Sequence, residues 1–277
     1  MAGTLYLVAT PIGNLGDVTL RALELLRSAD AVVCEDTRRT RRLLEAHGIR
    51  ATLLSMPAFD ERARAEALVA RLDRGEKLAL CTDAGSPGIS DPGQELVARA
   101  LEKGIEVIAL PGASAALAAL QLSGLPSDRF FFAGFLPRKG GGRREALAEL
   151  AAVPATLVIF ESPRRLHETL EDLAAVLGDR RAAVARELTK LHEEVARGRI
   201  SELAARFAGE TLGEVAIVVE GPSGAAPKAP AEPLDDAIRR LAGEGLRTRE
   251  LARRLGEERR VPAREVYARA LELLHRE

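Results

Sequence analysis

Short, strand-sized apolar runs alternate with helical patterns through the first 110 residues, and this alternation limits the fold more than any other feature. Runs at Leu5 to Ala9, Ala31 to Cys34, Thr52 to Ser55, Leu78 to Cys81 and Glu106 to Leu110 are separated by helical patterns at Val18 to Ala29, Arg38 to His47, Glu61 to Arg74 and Gly93 to Lys103. Continuous rather than alternating apolar strands, each followed by an amphipathic helix, are the pattern of βαβ units around a mostly parallel sheet. In such a sheet ligands bind beyond the carboxyl ends of the strands. The residues just after each run are therefore the ones to read for chemistry.

Two of those places stand out. Thr10-Pro11-Ile12-Gly13-Asn14 follows the first run, and Asp83-Ala84-Gly85-Ser86-Pro87-Gly88-Ile89-Ser90-Asp91-Pro92-Gly93 follows the fourth. Glycines and prolines in the second phrase form turns and let backbone groups approach a ligand closely. Asp91-Pro92-Gly93-Gln94 reads as a helix start, with Asp91 as N-cap and Pro92 at the first helical position. No Gly-Lys-Ser/Thr follows, and the glycine spacing does not match a dinucleotide fingerprint, so neither nucleotide-binding template fits. A third phrase, Pro111-Gly112-Ala113-Ser114, opens an alanine-rich helix at Ala115 to Leu122. Ser114 can serve there both as N-cap and as ligand contact, and close helix packing explains the alanines equally well.

The second half has a different texture. From Ser123-Gly124-Leu125-Pro126 onward, strands at Arg129 to Phe135, Thr156 to Phe160, Ala183 to Arg186 and Glu214 to Val219 accompany helices near Arg143 to Ala151, Pro163 to Val176 and Ile200 to Phe207. The expected organisation is two α/β domains, residues 1–122 with a parallel sheet and 123–222 with a mixed sheet. A proline-rich linker follows at 223–233, then a small helical domain at 234–277 with helices at Leu234 to Ala242, Thr248 to Leu255 and Ala263 to Leu274.

Composition closes off several function classes. A net charge of −1 argues against a globally basic nucleic-acid coat. Cys34 and Cys81, the two cysteines, end apolar runs and read as buried small hydrophobes. The four histidines, His47, His167, His192 and His275, have no ligand spacing, so no metal site is expected. No run approaches the roughly 20 apolar residues of a membrane span. The segment 1–13 lacks a basic signal-peptide region, and a cytoplasmic location is expected.

Charged residues recur after strands of both domains. Glu35-Asp36-Thr37-Arg38, Glu161-Ser162-Pro163-Arg164-Arg165 and Arg186-Glu187-Leu188-Thr189-Lys190 all occupy such positions and point to one interdomain cleft. Asp36 or Thr37 also suits a helix N-cap, and Ser162 another. Pro137-Arg138-Lys139-Gly140-Gly141-Gly142-Arg143-Arg144 reads as a mobile loop with four positive charges, fit either to grip phosphates or to serve as a solvated connector.

Taken together, Thr10 to Asn14, Glu35 to Arg38, Asp83 to Gly93, Pro111 to Ser114, Glu161 to Arg165 and Glu214 to Gly221 resemble the tetrapyrrole methylase superfamily. More narrowly they are similar to its ribosomal small subunit methyltransferase I subfamily. The resemblance spans roughly residues 4 to 224, and the tail resembles the small helical domain of that subfamily. It implies a class III methyltransferase fold with S-adenosyl-L-methionine (SAM) in the cleft between the two α/β domains. It also implies 2′-O-methylation of a cytidine ribose in 16S rRNA, at the decoding centre of the small ribosomal subunit, by a homodimer. Carried onto this sequence, it gives Pro11, Ala84, Gly85, Ser86, Ile89, Ser114 and Ala115 as cofactor neighbours from the first domain and Phe160, Leu188 and Ala216 from the second. Porphyrin-type members carry Gly-Gly-Asp-Pro where this chain has Ala84-Gly85-Ser86-Pro87, which argues against a tetrapyrrole substrate.

A ribose hydroxyl needs a proton acceptor within hydrogen-bond reach to become a good nucleophile. Asp36, Glu35, Glu161, Glu187 and Lys190 are the candidates. Arg38, Arg138, Lys139, Arg143, Arg144 and Arg164 flank these motifs or sit in the basic loop and are the expected phosphate contacts. Two other readings compete: a methyltransferase of a tetrapyrrole or another small metabolite, and a non-catalytic module whose segment Arg247 to Arg264 is a helix-turn-helix for DNA.

Overall fold

A computed structural model describes residues 2–222, 234–259 and 261–274. The expected linker at 223–233 and His275 lie outside the described residues. The chain divides into two compact units, Met1–Pro222 and Ser223–Glu277.

The first unit contains two five-stranded sheets. In the first, β1 (Thr4–Val8), β2 (Ala31–Cys34), β3 (Leu53–Ser55), β4 (Lys77–Cys81) and β5 (Glu106–Leu110) lie in the order β3-β2-β4-β1-β5, all parallel. The helices α1 (Leu20–Ser28) and α2 (Thr37–Ala46) cover one face, through Ala22, Leu26 and Leu44. The other face is covered by α3 (Glu61–Asp73) and α4 (Gln94–Glu102), through Ala65, Leu68, Leu72, Leu96 and Ala100. Strands buried on both faces need no polar alternation, and that is why β2 is Ala-Val-Val-Cys. From β1 the chain runs toward β2 on one side, whereas from β4 it crosses to β5 on the other. Connections therefore diverge between β1 and β4, the place where a doubly wound sheet opens a crevice.

The second sheet contains β6 (Phe130–Phe135), β7 (Thr156–Glu161), β8 (Arg181–Arg186), β9 (Glu194–Arg199) and β10 (Val215–Val219) in the order β6-β7-β10-β8-β9. Only the β6–β7 pair is parallel; β10 runs antiparallel to β7 and β8, and β9 antiparallel to β8. The helices α6 (Gly140–Leu150), α7 (Leu166–Leu177) and α8 (Ile200–Arg206) pack on one face. The opposite face takes α5 (Ala115–Ser123), the helix that follows the last strand of the first sheet. Its Ala116 and Ala119 meet Val158, Ala183, Ala216 and Val218, so the alanines bring helix and sheet close together.

The second unit holds α9 (Leu234–Gly243), α10 (Thr248–Arg259) and α11 (Ala263–Leu274) around Ile238, Leu241, Leu251, Leu255 and Val266. Arg269 of α11 pairs with Asp235 of α9 at 2.7 Å. Among the described residues, no helix is long and apolar enough to cross a membrane.

Three expectations need correction. The basic segment after Pro137 is not an extended loop, because α6 begins at Gly140 and takes the three glycines into its first turn. Asp91 is not the cap of α4. The helix starts at Gln94, and Glu61 of α3 accepts the amides of Gly93 (2.8 Å) and Glu95 (2.9 Å). Strand β9 was not expected at all: Glu-Val-Ala-Arg-Gly-Arg has no apolar run, and it forms as a polar edge strand held by Arg186–Glu194 at 2.6 Å. The Glu61 cap yields a prediction. Glu61→Ala leaves two helix amides without their acceptor and should lower stability by about 1–2 kcal/mol, read as a lower urea midpoint at unchanged slope.

Candidate functional site

The two strand-end phrases are joined to each other. Thr10 donates its amide to the Gly85 carbonyl at 2.8 Å and accepts the Gly85 amide at 3.0 Å, while the Thr10 hydroxyl donates to the Thr82 carbonyl at 3.0 Å. Gly85 turns there at φ +81°, in the left-handed region that glycine adopts without penalty. A second junction ties the lobes together. The Asn14 amide donates to the Thr189 hydroxyl at 3.0 Å, and a Cβ on Gly13 would fall 2.6 Å from Lys190 Cγ and 2.9 Å from the Leu188 carbonyl. Glu187 and Thr189 both carry positive φ, which their segment sustains through the Glu187 amide donating to the Glu214 carbonyl.

Between these junctions lies a cavity of about 480 Å³, within the range of small-molecule sites. The first lobe lines it with Ile12, Ala84, Gly85, Ser86, Ile89, Ser114 and Ala115, and the second with Phe160, Leu188, Gly213 and Ala216. Nine of the ten residues that the resemblance placed near a cofactor therefore line one space. The exception is Pro11, which is buried, and its neighbour Ile12 faces the cavity instead. Phe135 and Phe160, 5.7 Å apart between ring centroids, wall the second lobe. Ser90, at φ +62°, faces Gly134 in the bulge of β6, so the long phrase also touches the second sheet.

The lining is acidic. Glu35, Asp83, Asp91, Glu161 and Glu214 contribute five carboxylates, and Arg39 is the single cation among the lining residues. Arg39 pairs with Asp83 at 3.4 Å, and the Asp36 amide donates to the same carboxylate at 3.2 Å. Burial, then the charges of Asp83 and Asp91, push the Glu35 carboxyl above its ordinary range. Burial, reinforced by Asp83, does the same to Asp91.

The five expected proton acceptors separate clearly. Asp36 caps α2 and is held by Arg38 at 2.6 Å, which pulls its pKa down to about 2. Glu161 is buried and accepts from the Ser162 amide (2.6 Å), the Thr169 hydroxyl (2.7 Å) and the Arg165 guanidinium. Its oxygens are committed to the turn after β7. The hydrogen bond from Lys190 and that from the Glu214 amide lower the Glu187 pKa. Burial pulls Lys190 down, but Glu187 at 2.9 Å and Glu214 at 3.1 Å outweigh it and hold the ammonium charged above its usual range. Of these five only Glu35 combines a place on the cavity wall with a raised proton affinity, properties it shares with Asp91, which was not among them.

Arg38, Arg138, Lys139 and Arg164 are exposed, and so is Arg144, which lies 3.4 Å from Asp172. Arg143 is a correction. Its side chain is 4% exposed and paired with Asp172 at 2.6 Å and Glu168 at 3.6 Å, so it locks α6 to α7 and does not face solvent. The sequence reading missed Arg39, Asp83, Asp91 and Glu214 as lining residues. Asp83 and Asp91 stood at the ends of the phrase already singled out, but Asp91 was assigned to a helix cap that Glu61 provides. Cys34 and Cys81 are buried thiols whose pKa values burial raises. Among the described residues, no group of three or more metal-ligating side chains is assembled.

Gly13→Ala tests the junction between the lobes. The added methyl must displace Leu188 to Lys190, which should cost about 1–3 kcal/mol in urea unfolding.

Comparison with known proteins agrees with this geometry. Residues 4–204 match the family described as Tetrapyrrole (Corrin/Porphyrin) Methylases. A Synechocystis protein named ribosomal RNA small subunit methyltransferase I is 46% identical over 274 residues, covering 98% of each chain. An Escherichia coli protein of the same name is 47% identical over 244 residues, covering 87% of this chain and 84% of that one. In fold, a crystal structure of diphthine synthase superposes with a TM-score of 0.61 at 21% identity, covering 79% of this chain and 90% of that chain. The chain belongs to the tetrapyrrole methylase family, and within it to the ribosomal RNA small subunit methyltransferase I group.

Proposed function

We propose that this protein is a SAM-dependent methyltransferase that modifies the 2′-hydroxyl of a cytidine ribose in 16S rRNA of the small ribosomal subunit, in the cytoplasm and as a homodimer. The observation that carries the reading is the interlobe cavity itself, glycine-bordered and lined by five carboxylates of which Glu35 and Asp91 have no ion-pair partner among the described residues, in a chain whose relatives are named as rRNA methyltransferases. A cavity with that charge favours a cationic ligand. Bound SAM supplies an electrophilic methyl group on a positively charged sulfur.

The residues present fit such a donor. Ala84, Gly85 and Ser86 offer main-chain groups at the switch point, where Gly85 has no Cβ to fill the space. Ser114 at the start of α5 adds a hydroxyl and a helix N-terminus, and Phe135 and Phe160 add apolar wall. Holding donor and acceptor in line away from water can lower a barrier by about 7–11 kcal/mol, so most of what the protein has to do is positioning. What remains is the hydroxyl proton. Glu35 takes it, because its carboxylate is on the wall, is not committed to a helix cap or an ion pair, and has an elevated affinity for protons. On the rim, Arg38, Arg138, Lys139, Arg144 and Arg164 hold phosphates of the RNA.

The deciding experiment incubates the protein with labelled SAM and either small ribosomal subunits or a porphyrinogen, with ribose methylation read by mass spectrometry. Label on a cytidine 2′-oxygen supports the assignment, and label on the porphyrinogen alone refutes it in favour of a small-metabolite enzyme. In single-turnover assays, Glu35→Gln should slow transfer by about 10²–10⁴-fold while calorimetric SAM binding persists. A base must be deprotonated to act, so activity should fall as pH drops through the Glu35 pKa. Asp83→Asn removes a negative neighbour that raises that pKa, and the acid limb of the pH–rate profile should therefore move to lower pH.

A further inference from the structure

Two arginines of α2, Arg41 and Arg42, are absorbed neither by the cavity nor by the fold. The helix sequence, Thr-Arg-Arg-Thr-Arg-Arg-Leu-Leu-Glu-Ala, buries Thr40, Leu43 and Leu44 against the first sheet. At 100° per residue these three fix the inner face, which turns Arg38, Arg41 and Arg42 outward together with Glu45. All four arginines of the segment are exposed. Two are compensated: Arg38 by Asp36 and Arg39 by Asp83. Arg41 and Arg42 form no ion pair among the described residues.

Helix electrostatics disfavours this arrangement. Arginines crowd the amino-terminal half, where the helix dipole is positive and acidic residues are preferred. Arg38 stands three and four residues from Arg41 and Arg42, spacings at which like charges repel. A local rule broken without an internal compensation is where an external partner is to be sought. The helix begins two residues after Glu35, a residue of the cavity wall, so Arg41 and Arg42 stand on the exposed side of the helix that leads away from that wall.

We infer that Arg41 and Arg42 on α2 bind phosphates of the RNA strand flanking the nucleotide that enters the cavity. The inference rests on the reading of the acceptor as RNA and adds two cations of the same helix to Arg38, the one the strand-end motif indicated. Charge complementarity selects the occupant: two unpaired guanidiniums beside a reaction site suit a polyanion whose phosphates continue on either side of the reacting sugar.

The test is the double variant Arg41→Gln/Arg42→Gln, whose changes lie on the exposed face and relieve repulsion instead of opening a core. Binding to purified small ribosomal subunits is measured across a salt series, beside SAM calorimetry and single-turnover methyl transfer at saturating subunit. A control variant, Lys77→Gln/Lys103→Gln, removes two exposed cations from the opposite edge of the first sheet, at the start of β4 and the end of α4. The α2 variant should flatten the slope of log K against log salt by about 1.5 and weaken binding about ten- to thirtyfold at 0.1 M salt, with SAM affinity and the saturated rate unchanged. The control should match the unmodified protein. An unchanged slope in the α2 variant, or an equal loss in the control, overturns the inference while leaving the function intact. Salt-insensitive or absent subunit binding by the unmodified protein overturns both.

Discussion

The reciprocal backbone bonds between Thr10 and Gly85 are the contact on which the site depends. They fasten the loops after β1 and β4 to each other at the point where the chain's connections diverge, so that the crevice opens with defined walls. Asp83 is held separately by the Asp36 amide and Arg39, and Ser90 reaches the second sheet, but the Thr10–Gly85 pairing alone joins the middle of the phrase to the loop that carries Ile12. The glycine at position 85 is required on two counts: its φ lies in the left-handed region, and a bare Cα keeps the main chain open toward the cavity. Stability and ligand access are therefore served by the same two hydrogen bonds.

The second constraint is that one helix belongs to both sheets. α5 leaves the edge of the first sheet and packs on β7, β8 and β10 of the second, and its alanines set the separation between them. A larger residue at Ala116 or Ala119 would push the helix away from the second sheet and alter the cavity, which Ala116 and Ala216 both line. Gly13 against Leu188 to Lys190 fixes the same separation from the other side. Two tight approaches, one through small side chains and one through a missing one, make the cleft a property of the core rather than of surface loops.

Much of this was legible in the chain. Buried parallel strands such as Ala31–Cys34 and Leu78–Cys81 announce themselves as short apolar runs between helical patterns, and the structure forms strands there. The phrases that follow them were legible because glycine and proline are costly where backbone geometry does not need them. What could not be read was anything decided by a partner far away in sequence. Asp91 has the local form of an N-cap, yet Glu61, thirty residues earlier, supplies the acceptor and leaves Asp91 to the cavity. Arg143 resembles its exposed neighbours in a basic run, but Asp172 on the next helix draws it inside. β9 carries no local signal, since an edge strand paired on one side tolerates charge on half of its residues. Among the five proton-acceptor candidates, the composition was visible and the ranking was not, because it depends on which oxygens are already taken by Arg38, Arg165, Thr169 or Lys190.

Around the cavity the charge of the wall differs from that of the exposed surface, and under the proposed function the difference bears on how one cleft serves two ligands of opposite sign. Carboxylates line the interior, where low dielectric makes their attraction for a small cation strong and raises the proton affinity of those left unpaired. The guanidiniums of Arg38, Arg138, Arg144 and Arg164 are exposed, where water weakens each contact, and under the proposed function several together would grip a polyanion and release its counterions. If the distribution were reversed, buried cations would repel a sulfonium and surface carboxylates would repel RNA. Arg39 occupies the boundary between the two zones. By neutralising Asp83, and through its own charge, it limits how far burial and the interior carboxylates can raise the Glu35 carboxyl.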